Sequence, residues 1–285
     1  MNNTQIRSLY GLKYNPFLPD LPPDALFTIP GTEHFANRVQ NMAAHGGFAL
    51  ITGDPGVGKS KTLQQIACRL EQTPDLTVRV MQRPQSALGD FYRELGELFD
   101  VGLSPANRYG GFKALRSRWK SHCQSTLLRP VLLIDEAQQV SNDCLTELRL
   151  LQSHNFDSQN LLFTILCGDK RLLGRFRSSE LLPLGSRIGP RLVLTPLSPE
   201  QLQHYLEFAL EQAGNTQLMS SEMIRTLTAH AANNLRVLNQ MAAELLSAAA
   251  ERNMPRIDET LFFELFSPTG PKANQNNPVR KYAQN

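Results

Sequence analysis

Residues 51–60 read "ITGDPGVGKS" and residues 131–138 read "VLLIDEAQ". The first stretch fits the pattern Gly, four residues, Gly-Lys-Ser. It follows the apolar run "FALIT" (48–52) and precedes "SKTLQQIACRLEQ", where Leu63, Ile66, Ala67 and Leu70 recur at helical spacing. A glycine-rich turn between a strand and a helix points backbone N–H groups inward and adds the positive end of the helix, and both attract phosphate. Gly53, Asp54, Pro55, Gly56, Val57, Gly58, Lys59, Ser60 and Lys61 then form a phosphate cradle. Lys59 reaches the β- and γ-phosphates and Ser60 holds Mg²⁺.

The second stretch is an apolar strand ending on Asp135 and Glu136. Asp135 lies 76 residues beyond Lys59, which leaves room for another strand and helices between them. An aspartate at such a strand end binds Mg²⁺ through water, and a glutamate beside it polarises the water that attacks the γ-phosphate. An incidental Gly-rich turn, or a solvated strand end, explains either stretch alone but not the pair. Guanine-specific signals are missing: position 138 is Gln where Asp-x-x-Gly requires Gly, and the chain contains no Asn-Lys pair. The expected chemistry is hydrolysis of ATP, with Mg²⁺.

Outward from these motifs, strand-like and helix-like segments alternate. "LTVRVMQ" (76–82), "VLLID" (131–135), "LLFTILCGD" (161–169) and "RLVLTPL" (191–197) read as strands, and "GDFYRELGELFDV" as a helix. This rhythm predicts a parallel sheet with helices on both faces. After it the pattern changes. "SPEQLQHYLEFALEQAG" opens with Ser198 and Gln201 at capping-box spacing, has Pro199 at the first helical position and closes on Gly214. Two more helices follow, and no strand pattern occurs from 198 to 266. The expected organisation is an extended N-terminal segment (1–30), an α/β nucleotide-binding core (31–197), a small all-helical subdomain (198–266) and a disordered tail (267–285). Four prolines between Pro16 and Pro23 make the first segment read as extended rather than helical.

At 285 residues, with 41% hydrophobic and 19% charged residues, the chain has an ordinary globular composition and ample length for a core. No apolar run approaches the roughly 20 residues of a membrane helix, and the start lacks a secretory signal. The expected location is the cytoplasm. Cys68, Cys123, Cys144 and Cys167 are widely spaced, against both zinc and a disulfide framework. The net charge of +3 resides in the tail: Lys272, Arg280 and Lys281 face no acid there, and the rest of the chain balances at 26 against 26. Whole-chain charge therefore says nothing of nucleic acid, although local clusters can.

The motifs "YGLKYNPF", "GGFALITGDPGVGKS", "LLIDEAQ", "LGSRIGPRLVLTPLSPEQL" and "NNLRVLNQ" occur in the order seen in the ExeA-like branch of the AAA+ ATPases. The chain resembles that branch over about residues 8–262. The branch is similar to DNA-transposition helpers of the TnsC and MuB type. The resemblance implies that Arg187 is an arginine finger reaching a neighbouring subunit's γ-phosphate, with Arg191 as the alternative. It implies that Arg236 is a sensor arginine acting within its own chain. It places Tyr10 to Phe17 against the adenine, with Tyr14 and Phe17 as contacts, although both rings also suit a hydrophobic groove. Where the family usually has a neutral polar residue at the end of "LLFTILCGD", this chain has Asp169. A carboxylate there repels a γ-phosphate unless Mg²⁺ or Lys170 compensates, so either it faces elsewhere or hydrolysis is slow.

The stretch 101–130 holds Arg108, Lys113, Arg116, Arg118, Lys120 and Arg129 and no acid. At 100° per residue, Phe112, Leu115, Trp119 and Cys123 make an apolar stripe, with Lys113, Arg116 and Lys120 together beside it. These three are candidate contacts to the DNA backbone, which needs spaced positive charge and no sequence reading. A solvated basic face is the plain alternative. A second cluster, Lys170, Arg171, Arg175 and Arg177, equally suits a subunit interface. Two roles follow from the resemblance. In one, ATP-bound copies form a ring or filament on duplex DNA and engage a transposase, with Arg280, Lys281 and Tyr282 as a candidate contact. In the other, the chain assists assembly of a secretion complex. Such proteins usually carry a membrane helix and a cell-wall-binding module after the ATPase core, and this sequence stops about 20 residues past the helical segment, so the first role is the expected one. An ATP-binding scaffold with slow turnover is a third reading.

Overall fold

A computed structural model describes residues 2–84, 86–103 and 107–266. The expected disordered tail, with Arg280, Lys281 and Tyr282, lies outside the described residues. In chain order the elements are α1 (Asn3–Tyr10), α2 (Thr32–Ala43), β1 (Gly47–Gly53), α3 (Lys59–Glu71), β2 (Leu76–Met81), α4 (Leu88–Leu98), α5 (Arg108–Ser121), β3 (Arg129–Ile134), α6 (Asn142–Gln152), β4 (Ser153–His154), β5 (Gln159–Asn160), β6 (Phe163–Gly168), α7 (Arg171–Arg175), α8 (Leu182–Gly185), β7 (Ile188–Leu194), α9 (Pro199–Ala213), α10 (Ser221–His230), α11 (Leu235–Glu251) and α12 (Glu259–Phe266). These elements fall into two compact units.

The first unit spans Thr28–Pro55 and Lys59–Leu194. Its sheet has the order β2-β3-β6-β1-β7, and every pairing in it is parallel. Burial explains the order. β1 and β6 are buried at every position, as strands covered on both faces must be, and their sequences are mainly apolar, with one buried threonine each, Thr52 and Thr164. β7 alternates buried and exposed residues and forms one edge. The apolar stripe of α5 packs inward: Leu115 and Trp119 are fully buried, and the Trp119 ring meets Phe99 edge-on at 5.2 Å. Glu147 of α6 is buried as well. It accepts hydrogen bonds from the Tyr92 hydroxyl of α4 and the Arg108 guanidinium of α5, which ties three helices to one carboxylate.

Among the described residues, the second unit comprises the chain up to Phe27, the loop tip Gly56–Gly58 and the chain from Thr195. The capping box at Ser198 and Gln201 is present, and Gly214 ends α9 in the left-handed region at φ 97°. The reading of the first segment as extended needs correction, because Asn3–Tyr10 is helical. Asn2 and Gln5 form a reciprocal capping box, Gly11 closes the helix at φ 64°, and Ile6 and Tyr10 bury one face. The prolines that suggested extension begin only at Pro16. The Tyr10 hydroxyl donates to Met254 O at 2.9 Å, and Lys13 N donates to Ala213 O at 2.9 Å, so this segment is built into the helical unit. Phe27 continues it, with edge-on contacts to His204, Tyr205 and Phe208.

Candidate nucleotide site

Parallel strands put their carboxyl ends on one side of the sheet. There β1 opens into the loop at Gly53 and β3 ends just before Asp135, with β6 between them. At about 4.8 Å per strand, the two motifs start about 10 Å apart. Ile134 pairs with Leu166 and Ile51 with Cys167, so the Cys167 thiol sits on the middle strand between the motifs. Burial pushes that thiol well up. The Asp135 carboxylate and Glu136 raise it further, while Lys59 pulls it down. All three charged groups thus act on one buried sulfur.

The loop suits phosphate. Gly56 and Gly58 have φ of 83° and 98°, in the region that favours glycine, and let the chain turn tightly ahead of α3. Lys59 is 8% exposed, and its ammonium donates to Asp54 O at 2.9 Å. The Ser60 hydroxyl and the Asp135 carboxylate are hard oxygen donors of the kind Mg²⁺ takes alongside substrate phosphates. These residues fit Mg²⁺ by donor chemistry.

Glu136 is held in a specific pose. Its backbone lies at φ 50°, uncommon for a residue with a Cβ. Its N–H donates to Asp135 Oδ1 at 2.9 Å, and its carboxylate accepts from Gln138 Nε2. The other end of Gln138, Oε1, accepts from Asp169 N at 3.2 Å. Gln138 therefore bridges the ends of β3 and β6. Gly168 makes room for it: a Cβ there would lie 2.7 Å from Leu172 Cδ1 and closer still to Gln138 Oε1. Arg175 secures the same loop from outside, donating to Gln138 O at 2.9 Å and Val140 O at 2.8 Å. The sequence pattern did not reveal the roles of Gln138, Gly168 and Arg175. The signal was faint: one Gln two positions past the Asp-Glu pair and one Gly at a strand end.

The question of Asp169 has a local answer. Arg171 Nε donates to its Oδ2 at 2.7 Å and Arg171 N to its Oδ1 at 2.9 Å. This pairing holds the carboxyl below its usual range. Lys170, the expected compensating cation, pairs with Asp54 Oδ2 at 2.6 Å instead. The second basic cluster is thus largely occupied within the chain.

Arg187 lies just before β7, paired with the Asp157 carboxylate and donating to Pro183 O. Arg191, on β7, donates to Gly185 O at 3.0 Å. In the helical unit, Arg236 is at the second position of α11, where its N–H donates to Asn234 Oδ1 at 3.0 Å. Phe17 is 5% exposed and Tyr14 half-buried in that unit, so of the two rings Tyr14 has surface left to offer. Of the three candidate DNA contacts, Lys113 and Lys120 are exposed. Arg116 is not available: its Nη1 donates to Leu150 O at 2.9 Å and also to Leu151 O and Ser153 O, closing the carboxyl end of α6. Lys113 also lies 4.6 Å from the Tyr109 ring centroid.

Residues 42–176 match the family described as "AAA domain". Among solved structures, the Aeropyrum pernix ORC2 protein superposes with a TM-score of 0.69 at 16% identity, covering 87% of this chain and 69% of that one. The Aeropyrum pernix ORC1 protein in complex with DNA gives 0.63 at 21%, covering 87% and 67%. The chain has the AAA+ P-loop NTPase fold. In sequence it is 29% identical over 249 residues to General secretion pathway protein A of Aeromonas hydrophila, across 83% of this chain and 44% of the relative. The chain spans less than half the length of that relative. No helix among the described residues is long and apolar enough to cross a membrane.

Proposed function

We propose that the chain binds and hydrolyses ATP and that the ATP-bound form assembles with further copies of itself. The observation that carries this reading is the placement of Lys59 and Asp135 on the same side of the sheet, one strand apart. The Lys59 ammonium and the backbone N–H groups of the glycine-rich loop would offset the charge of the phosphates. Ser60 and Asp135 would hold Mg²⁺, which would supply positive charge against the phosphates. Glu136, pinned by Gln138, orients the attacking water and takes up its proton. Arg187, or Arg191, would complete a neighbouring copy's site. That role requires the Arg187 guanidinium to leave Asp157. Arg236 would act in the same chain, and Tyr14 would flank the adenine.

The use made of the ATP is a further step. A helper role in DNA transposition, in which ATP-bound copies gather non-specifically on duplex DNA and engage a transposase, is supported by the exposed cations on α5. A role in assembling a secretion complex is supported by the 29% identity to General secretion pathway protein A. The central test is nucleotide binding and turnover. Lys59→Ala abolishes ATP binding, whereas Glu136→Gln retains it and slows hydrolysis at least 100-fold. An E136Q chain with undiminished turnover would remove Glu136 from its role. For the DNA role, retention on duplex DNA is salt-sensitive, present with a non-hydrolysable ATP analogue and lost with ADP. Retention indifferent to nucleotide discards it.

A further inference from the structure

The opposite end of the sheet, where the strands begin, holds a cavity of about 480 Å³. Four segments converge on it. His45 precedes β1, Arg129 is the first residue of β3, and Lys120 and Gln124 come from the end of α5 and the turn after it. His154 lies on the short β4–β5 hairpin. The strands are six or seven residues long, so about 20 Å separates this cavity from the carboxyl ends that carry Lys59 and Asp135.

The wall chemistry has one sign. His45, Lys120, Arg129 and His154 contribute cations or N–H donors, Gln124 and Ser158 further polar groups, and no lining residue is Asp or Glu. Arg129 Nη1 donates to Asn160 O at 2.7 Å, which fixes the guanidinium in the wall. His154 Nδ1 lies 3.1 Å from Arg116 Nη2. A guanidinium only donates, so Nδ1 is the acceptor and the ring's N–H donor is at Nε2. Lys120 is exposed and makes no ion pair among the described residues.

The backbone around the cavity is unusual. His122–Thr126 forms a π-helical turn, a form that is rare and frequent at functional sites. At the hairpin tip, Asn155, Phe156 and Asp157 all have positive φ, and the Phe156 ring is fully exposed between the wall residues His154 and Ser158. The volume is that of a small-ligand site, where surveyed pockets run to roughly 300–1,000 Å³.

We propose that this cavity is a second anion site that takes the phosphate groups of a ligand about the size of a nucleotide. Its source is either a free phosphorylated compound or one unit of a nucleic-acid backbone. In the second case the exposed Phe156 ring is placed to stack a base. The site owes nothing to the nucleotide loop, and the two are tested apart by working in Lys59→Ala.

The probe is sodium pyrophosphate, titrated calorimetrically into K59A and into K59A carrying His45→Glu and Lys120→Glu. K59A binds pyrophosphate, and the added acids weaken that binding at least tenfold. Thermal midpoints report folding, and should the double substitution unfold the chain, Lys120→Ala in K59A gives the same comparison with at least a threefold loss. A K59A chain that binds no pyrophosphate, or binds it equally with and without Lys120, overturns the proposal. Anisotropy with a labelled single-stranded oligonucleotide then separates the sources. Displacement of the oligonucleotide by pyrophosphate assigns the site to a backbone. Pyrophosphate binding without oligonucleotide binding assigns it to a free compound.

Discussion

Gly168→Ala is the sharpest probe of how Glu136, the proposed base, is held. Gly168 is the last residue of β6, and the added methyl would sit 2.7 Å from Leu172 Cδ1 and nearer still to Gln138 Oε1. Ordinary carbon contacts begin near 3.4 Å, so Leu172 must retreat by about 0.7 Å and Gln138 by more. Leu172 is fully buried, and overpacking of this kind costs about 1–3 kcal/mol. Moving Gln138 breaks its bonds to Glu136 and to Asp169 N, worth about 2–3 kcal/mol together when one partner is charged. With the glutamate released, turnover falls about 10–100-fold, the usual range for groups that position a catalytic residue. ATP affinity changes little, because the loop at Gly53–Ser60 is untouched. The assay pairs steady-state ATPase kinetics with urea unfolding, for G168A, Gln138→Ala and the double variant. Gln138→Ala alone shows the same loss of kcat with a smaller loss of stability. In the double variant the kcat losses do not add, since both act through one bridge. Wild-type kcat in both single variants, or strictly additive losses, would refute the bridge.

Glu147→Ala leaves the buried Tyr92 hydroxyl without its acceptor and opens a small cavity, at a cost of about 3 kcal/mol in urea unfolding, while Tyr92→Phe costs about 1 kcal/mol. Arg116→Ala uncaps α6 and destabilises the chain by about 1–2 kcal/mol, yet leaves any duplex-DNA retention nearly intact, whereas Lys113→Glu with Lys120→Glu reduces that retention and its salt dependence. Arg171 depresses the Asp169 carboxyl, so its contribution to stability is present above the unfolded value of about 3.9 and fades as pH falls through the lower folded value. Asp169→Asn therefore lowers the urea midpoint at pH 7, and the gap to wild type closes under strong acid.

Much of the architecture was legible in the chain because local signals agreed. Mainly apolar runs marked β1, β3 and β6, a Gly-rich loop joined β1 to α3, and the capping residues Ser198 and Gly214 bounded α9. Such signals rest on burial and backbone geometry within a few residues, which a sequence displays directly. The N-terminal helix was missed although Asn2, Gln5 and Gly11 announced it, because the later prolines outweighed them. The face of α5 was legible as a stripe, but the fate of each cation beside it was not. Arg116 and Lys120 lie one turn apart, and the fold sets the carbonyls ending α6 opposite Arg116 alone of the two.

Residue types and spacing alone announced the glycine-rich loop, the carboxylate pair at Asp135 and Glu136, and the change from alternating strands and helices to helices alone. Each is a short-range pattern whose chemistry depends on residue type and spacing. It took the folded chain to reveal that Gln138 holds Glu136, that Arg171 rather than Lys170 neutralises Asp169, and that a cavity lined by Lys120 and Arg129 opens where the strands begin. Those facts join residues from separate strands and helices, and hydrogen bonds and charges act over a few ångströms of space whatever the distance along the chain.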